Sequence, residues 1–230
     1  MINSQFKMIL LDIDGTLLNY RVDWEKMRKN LRQFFLENYG IDEYFKPVLQ
    51  KIDHSLLYLH EKKNYSANEI SQARKQAFLI VKDADLEGAH SSVAIQGSHE
   101  AIHFLRGKGM KISIFTRNEA ESTHIALEKC GFRQDWFACI SCRNKDKHPV
   151  KPDPYQIQVL LRKFGLEPTE LLVVGDHPYD MQAATKAGSP AIGVLTGIAD
   201  KKTLLEAGAS DVIDSICFLP EWLGFTDRAM

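Results

Sequence analysis

Short runs of apolar residues, rich in Ile, Val and Leu, recur along the chain. They occupy residues 8–13, 110–115, 171–175 and 191–195, and amphipathic segments separate the last three. Strands of a parallel sheet are buried on both faces, so they form continuous apolar runs rather than alternating ones. The pattern predicts an α/β fold built on a parallel sheet.

Two of the amphipathic segments have helical spacing. Residues 98–108 and 119–130 carry apolar side chains at close to the α-helical period. Gly109 and Gly131 follow them, and glycine commonly ends a helix because it adopts the left-handed conformation at low cost. We therefore predict that helices connect the strands of this part of the chain.

Residues 19–94 interrupt this alternation. They contain no convincing strand, and their apolar positions are three or four residues apart, for example Trp24, Met27 and Leu31. The segments with this spacing are residues 24–38, 43–62 and 67–82. The pattern predicts a helical insertion after the first strand, with the chain returning to the sheet near Gln96.

The composition is that of a globular protein with a sizeable core. The chain has 230 residues, of which 44% are hydrophobic and 26% charged, so one domain, or one domain with an insertion, is expected. Lys and Arg total 29 against 30 Asp and Glu, a net charge of -1. This balance argues against nucleic acid as a partner, because nucleic-acid binding normally requires a basic surface.

A cytoplasmic location is expected, with no membrane partner. No apolar run approaches the roughly 20 residues that span a bilayer. Residues 1–7 are polar and have no signal-peptide pattern. The chain has 4 cysteines, too few for a disulfide framework.

We interpret Cys139 and Cys142 as partly buried thiols at the end of a strand. The alternative is zinc binding or redox use, for which only His148 lies nearby in the sequence as a further ligand.

The strongest chemical signal is a pair of aspartates directly after the first apolar run. Asp12 and Asp14 are two positions apart in the sequence Asp-Ile-Asp-Gly-Thr, so the period of a strand directs both side chains to the same side. Ligands of open α/β sheets bind at this carboxyl edge, and Gly15 allows a sharp turn there. Taken alone, the segment could also be an ordinary turn.

Three later strand ends supply further polar groups. Asp176 and Asp180 follow the run at residues 171–175, and carboxylates are the ligands that Mg²⁺ prefers. Thr116 follows the run at residues 110–115, and its hydroxyl could donate to a phosphate oxygen. Lys151 could neutralise a phosphoryl group or clustered carboxylates. Taken alone, neither Thr116 nor Lys151 indicates a functional site. Their order along the chain relative to the aspartates makes them candidates.

The ordered series Asp-x-Asp-Gly-Thr, strand-Thr, Lys-Pro-x-Pro and Gly-Asp-x-x-x-Asp resembles the four signature motifs of haloacid dehalogenase-like hydrolases, over essentially the whole chain. The helical insertion is similar to the α-helical cap of subfamily I, which includes phosphoglycolate phosphatases and β-phosphoglucomutases. The resemblance implies a Rossmann-like doubly wound parallel sheet core at residues 1–18 and 95–230. It also implies a small α-helical cap domain at residues 19–94 that sets substrate specificity.

The resemblance implies a Mg²⁺-dependent phosphatase that hydrolyses a small phosphorylated metabolite. Asp12 would be the nucleophile that forms an aspartyl-phosphate, and Asp14 the general acid and base. Thr116 and Lys151 would complete the catalytic set by offsetting the charge of the phosphoryl group. The implied metal ligands are Asp12, the backbone carbonyl of Asp14 and Asp176, with Asp180 as a further acidic position.

Several alternatives stay open. A β-phosphoglucomutase-like phosphomutase would use the same residues, and a non-catalytic binding protein on this fold is a third reading. A dehalogenase fits poorly because those relatives lack the second aspartate, here Asp14, and a phosphonatase would need a cap lysine. A monomer or homodimer is expected.

Two departures from the commonest family pattern are visible. Thr116 is followed by Arg117 and Asn118, a variant in which Asn118 could cap the next helix. The segment at residues 141–150 is unusually basic. It could contact an anionic substrate or be a solvated loop, and we favour the loop.

Overall fold

A computed structural model describes residues 5–143 and 148–225. The chain divides into two compact units, one formed by Met1–Tyr20 with Ala89–Met230 and the other by Arg21–Gly88.

The strands, in chain order, are β1 Met8–Leu11, β2 Leu18–Asn19, β3 Val93–Ala94, β4 Lys111–Glu119, β5 Cys139–Arg143, β6 Leu171–Gly175, β7 Ala191–Val194 and β8 Asp211–Ile213. The helices are α1 Trp24–Tyr39, α2 Val48–Lys63, α3 Ala67–Ser91, α4 Ser98–Gly107, α5 Ala120–Lys129, α6 Tyr155–Phe164, α7 Pro178–Ala187, α8 Lys201–Glu206 and α9 Leu219–Trp222.

The first unit is built on a parallel sheet with the strand order β5-β4-β1-β6-β7-β8. The strands β2 and β3 form a separate antiparallel pair. Every residue of β1 and β6 is buried, as expected of strands covered on both faces. The prediction of an α/β, Rossmann-like fold on a parallel sheet is confirmed.

Flanking helices bury an apolar face against this sheet. Leu10 and Val173 of the two central strands belong to one cluster with Ile157, Leu160 and Met181, which come from α6 and α7. Burying one such side chain contributes about 1.5–3 kcal/mol, so this packing fixes the strand ends from which the site is built.

The second unit has its own helical core. Met27, Leu31 and Phe35 of α1 pack in one cluster with residues of α2 and α3 such as Ile52 and Ala77. Stacking of the Phe35 and Phe45 rings, with centroids 5.0 Å apart, adds to this core.

Several element boundaries differ from the sequence prediction. The second predicted helix begins at Val48 instead of residue 43, because Pro47 is extended and occupies the N-cap position. The third continues to Ser91 instead of residue 82, because a helix tolerates an isolated glycine such as Gly88 and Ala89 beyond it is buried. The strands β2, β3 and β8 have two or three residues each, too few for a recognisable period.

Across residues 5–143 and 148–225, the helices were compared with the length and hydrophobicity of a membrane span. None of them meets both requirements.

Candidate active site

The sheet order brings the predicted residues to one edge. Strand β1 lies between β4 and β6, and Asp12 and Asp176 directly follow β1 and β6. Thr116 lies in the second half of β4. Lys151 lies in the loop between β5 and α6, and its ammonium group reaches Asp12. The structure therefore places these four side chains around the carboxyl end of β1.

The segment after β1 is a tight turn that also presents both aspartates. Asp12 continues the ladder, since its N–H donates to the Val174 carbonyl at 2.9 Å. Gly15 has a φ of 72°, which a residue with a side chain rarely adopts. The Asp14 carboxylate accepts a 3.1 Å hydrogen bond from the Tyr20 N–H, which fixes its orientation.

The Lys151 ammonium joins two carboxylates. Its Nζ atom lies 2.6 Å from Asp12 Oδ1 and 2.6 Å from Asp180 Oδ1, and all three side chains are buried. Burial alone would lower the pKa of Lys151, but the charges of Asp12 and Asp180 and their hydrogen bonds outweigh it, so the pKa is raised. Lys151 is therefore a fixed positive charge in the site.

Asp180 is held by the first turn of α7. Its Oδ2 atom accepts the His177 N–H at 3.0 Å in a capping box. Burial raises the pKa of Asp180 and the Asp12 charge adds to this, while Lys151 opposes both. The side chain thus directs Lys151 towards Asp12 and is itself one of the clustered carboxylates.

A cluster of buried carboxylates faces this lysine. One oxygen from each of Asp12, Asp176 and Asp180 lies within 4.8 Å of the others. Burial raises the pKa of Asp176, and repulsion from Asp12, Asp180 and then Asp14 raises it further. Oxygen donors in this arrangement suit a hard divalent cation, which would relieve their repulsion.

Two glycines leave room beside Asp176. A Cβ atom on Gly197 would overlap the Asp176 carboxylate, and one on Gly15 would come 2.5 Å from its Oδ2 atom. The Ile198 N–H donates to Asp176 Oδ2 at 3.2 Å. The two glycines therefore let the Asp176 carboxylate take its place in the cluster, whose oxygen donors fit a divalent cation.

Asp14 has a titration behaviour suited to proton transfer. Burial raises the pKa of Asp14 to about 7, the Asp12 charge raises it as well, and the hydrogen bond from Tyr20 opposes them. A carboxyl group with such a pKa can both donate and accept a proton near neutral pH. Asp14 is not among the three clustered carboxylates, so its side chain is available for this role.

Thr116 lies where the pairing of β4 with β5 shifts register. Phe115 pairs with Ser141 and Glu119 with Arg143, so residues 116–118 lie opposite one residue of β5. Thr116 Oγ1 accepts the Asn118 N–H at 3.1 Å, which leaves its hydroxyl proton free to donate.

The prediction that Asn118 caps the next helix is wrong. Helix α5 begins at Ala120, its N-cap residue is Glu119, and no side chain forms a cap hydrogen bond there.

The structure adds His177 and Tyr179 to this edge, which sequence reasoning did not place there. His177 Nδ1 accepts the Tyr179 N–H at 3.0 Å. Burial lowers the pKa of His177 to about 4, and Arg117 and Lys151 lower it too, so the ring is neutral with its proton on Nε2. Their position between Asp176 and Asp180 in the sequence is the signal that could have identified them.

The basic segment at residues 141–150 begins in β5. Residues 144–147 lie outside the described residues. Cys139 and Cys142 are half-buried free thiols on β5. The Arg143 side chain is buried, and its guanidinium lies 3.5 Å from Glu119. This end of the segment is therefore packed against β4.

The fold and this edge define an α/β enzyme with an acidic site organised around a buried lysine. The model of the haloacid dehalogenase-like hydrolases matches residues 9–194. The chain belongs to this family, as its motifs predicted.

Named relatives are similar at low identity. A phosphoglycolate phosphatase from Rhodospirillum rubrum is 28% identical over 67% of this chain, and the match spans 62% of that relative's length. The pyrophosphatase PpaX of Bacillus velezensis is 25% identical over 89% of this chain and 90% of its own. The crystal structure of a predicted phosphoglycolate phosphatase from Haemophilus somnus superposes with a TM-score of 0.67 at 18% identity, covering 95% and 98% of the two chains.

Proposed function

We propose that this protein is a Mg²⁺-dependent phosphatase that hydrolyses a small phosphate monoester through an aspartyl-phosphate on Asp12. The observation that carries the proposal is the ammonium group of Lys151, held 2.6 Å from Asp12 and from Asp180 beside the further carboxylate Asp176. Such a site pairs a carboxylate nucleophile with the positive charge that a phosphoryl group requires. The names of the similar phosphatases support this assignment.

In the first step the Asp12 carboxylate attacks phosphorus. A bond forms between Asp12 oxygen and phosphorus while the ester bond to the leaving alcohol breaks. Asp14 donates its proton to the leaving oxygen, which agrees with its pKa of about 7. Asp12 then carries the phosphoryl group and Asp14 is a carboxylate.

The second step reverses the role of Asp14. Its carboxylate takes a proton from water as the water oxygen attacks phosphorus, and the bond between phosphorus and Asp12 breaks. Inorganic phosphate leaves, and both aspartates return to their starting state. Throughout, Thr116 donates its free hydroxyl proton to a phosphoryl oxygen, and Lys151 offsets negative charge.

Mg²⁺ would be held by the side chains of Asp12 and Asp176 with the backbone carbonyl of Asp14. Its contribution when bound is to polarise the phosphoryl oxygens and to reduce their repulsion by carboxylates. Asp180 is a less direct candidate, because its Oδ1 atom is engaged by Lys151 and its Oδ2 atom by the His177 N–H. We assign Asp180 the task of orienting Lys151.

The function is tested by measuring phosphate release from the purified protein. The panel is an aryl phosphate, 2-phosphoglycolate, pyrophosphate and hexose phosphates, each with Mg²⁺ and with EDTA. We expect phosphate release that EDTA abolishes and added Mg²⁺ restores. Absence of release from every ester would refute the phosphatase assignment. Conversion of a hexose 1-phosphate to the 6-phosphate without net phosphate release would assign a phosphomutase instead.

The space beside Asp176 gives a more specific prediction. Gly197→Ala is expected to displace the Asp176 carboxylate and to raise the Mg²⁺ concentration for half-maximal activity by about tenfold or more. Gly107→Ala is the matched control, because a Cβ atom there contacts nothing within 4 Å. Titration of both variants with Mg²⁺ checks the prediction, and an unchanged midpoint in Gly197→Ala would exclude Asp176 as a ligand.

A further inference from the structure

Arg117 is a cation beside the site that the four motifs do not account for. It directly follows Thr116, within the irregular stretch of β4 at residues 116–118. Its guanidinium carbon lies 5.1 Å from the centroid of the Tyr179 ring, a cation–π arrangement. The side chain is therefore held by a defined contact with the start of α7.

The direction of this contact places Arg117 near the nucleophile. Strand β1 lies between β4 and β6, and Tyr179 belongs to the helix that follows β6. A side chain that reaches from β4 to Tyr179 therefore spans the end of β1, where Asp12 lies. Burial is the main influence on the pKa of Arg117 and lowers it, and the charge of Arg143 lowers it too, whereas Tyr179, Asp12 and Asp180 raise it.

The positive charge of Arg117 is not balanced by direct contact with an acidic side chain in the described part of the chain. Among the described residues no carboxylate forms an ion pair with Arg117, and its Nε atom is buried without a hydrogen-bond partner. By comparison, Lys151 contacts two carboxylates and Arg143 lies beside Glu119. Arg117 is half-buried, so its guanidinium is partly removed from water without an acidic partner, and a bound anion would supply that partner.

We propose that Arg117 is a further catalytic residue that binds a non-bridging oxygen of the transferring phosphoryl group. The inference rests on the proposed phosphatase function and adds a second cation to Lys151 in it. A guanidinium presents several N–H donors in a planar fork that matches phosphate oxygens. It would stabilise the charge that spreads over those oxygens in the transition state.

The position of Arg117 favours the phosphoryl group over the leaving group. Arg117 directly follows Thr116, which would donate to a phosphoryl oxygen, and its guanidinium contacts Tyr179, the neighbour of Asp180 in the first turn of α7. A contact with the leaving group would instead make Arg117 a specificity residue. These two arrangements give different results with substrates that differ in the charge of the leaving group.

The kinetic test compares Arg117→Ala and Arg117→Lys with Lys111→Ala. Lys111 lies at the opposite end of β4 and is exposed, so its replacement removes the same charge away from the site. With Mg²⁺ present, we expect Arg117→Ala to lower kcat about 100-fold on both an aryl phosphate and 2-phosphoglycolate, with a smaller change in KM. Added guanidinium should restore part of the activity of Arg117→Ala, and Lys111→Ala should match the wild type.

A binding measurement decides the inference without turnover. Orthovanadate and inorganic phosphate are titrated into the wild type and each variant with Mg²⁺, and Arg117→Ala should weaken both by about 10- to 100-fold. Equal affinity in the wild type and Arg117→Ala would overturn the proposal, as would a kinetic loss confined to 2-phosphoglycolate. A wild type that hydrolyses no ester would refute the phosphatase function, while the titration still tests Arg117 as an oxyanion ligand.

Discussion

Replacement of Asp12 by asparagine is expected to lower kcat for phosphate release by more than about a thousandfold. The amide has the size of the carboxylate but is a far weaker nucleophile, so the first covalent step is lost. The fold should remain, because the Lys151 ammonium keeps its contact with Asp180 in the variant. Phosphate release and urea unfolding, measured on the same preparation, separate these two effects.

The control for this variant is the same change at an exposed carboxylate. Asp135→Asn removes the partner of Arg133 in a surface ion pair, so its turnover and stability should stay close to those of the wild type. Undiminished activity in Asp12→Asn would contradict a covalent intermediate on Asp12. A variant that loses turnover only because it unfolds would show a lower urea midpoint than Asp135→Asn.

The aspartates were predictable because they directly follow strands whose burial is visible in the sequence. The residues of β1 and β6 are apolar and lie at the centre of the sheet, so Asp12 and Asp176 had to emerge at the same edge. The family pattern then ordered Thr116 and Lys151 between them. Position along the chain, together with strand order, was sufficient for this part of the site.

The contacts among these residues were not predictable in the same way. The ion pair between Lys151 and Asp180 depends on where Lys151 lies before α6 and on the first turn of α7. The placement of Arg117 depends on the pairing irregularity between β4 and β5, which no period in the sequence reveals. The sequence therefore identifies Arg117 only as a variant residue after Thr116.

Replacement of Lys151 by methionine is expected to lower both activity and stability. Methionine is close in size but carries no charge, so the carboxylates of Asp12 and Asp180 would lose the cation that each contacts at 2.6 Å. Removing one partner from a buried ion pair costs about 3–5 kcal/mol, because the remaining charge stays desolvated. Urea unfolding in the absence of divalent cations should show a decrease of this size in the free energy of unfolding.

Two further variants make the cause of this loss measurable. Lys7→Met removes a lysine that is ion-paired with Glu170 at the surface, and its cost should stay below about 1 kcal/mol. The double variant Lys151→Met with Asp180→Asn removes one of the unpaired carboxylates and should regain part of the lost stability. A double variant less stable than Lys151→Met alone would show that packing, rather than unpaired charge, sets the cost. Phosphate release should stay low in both Lys151 variants, since the charge beside Asp12 is absent in each.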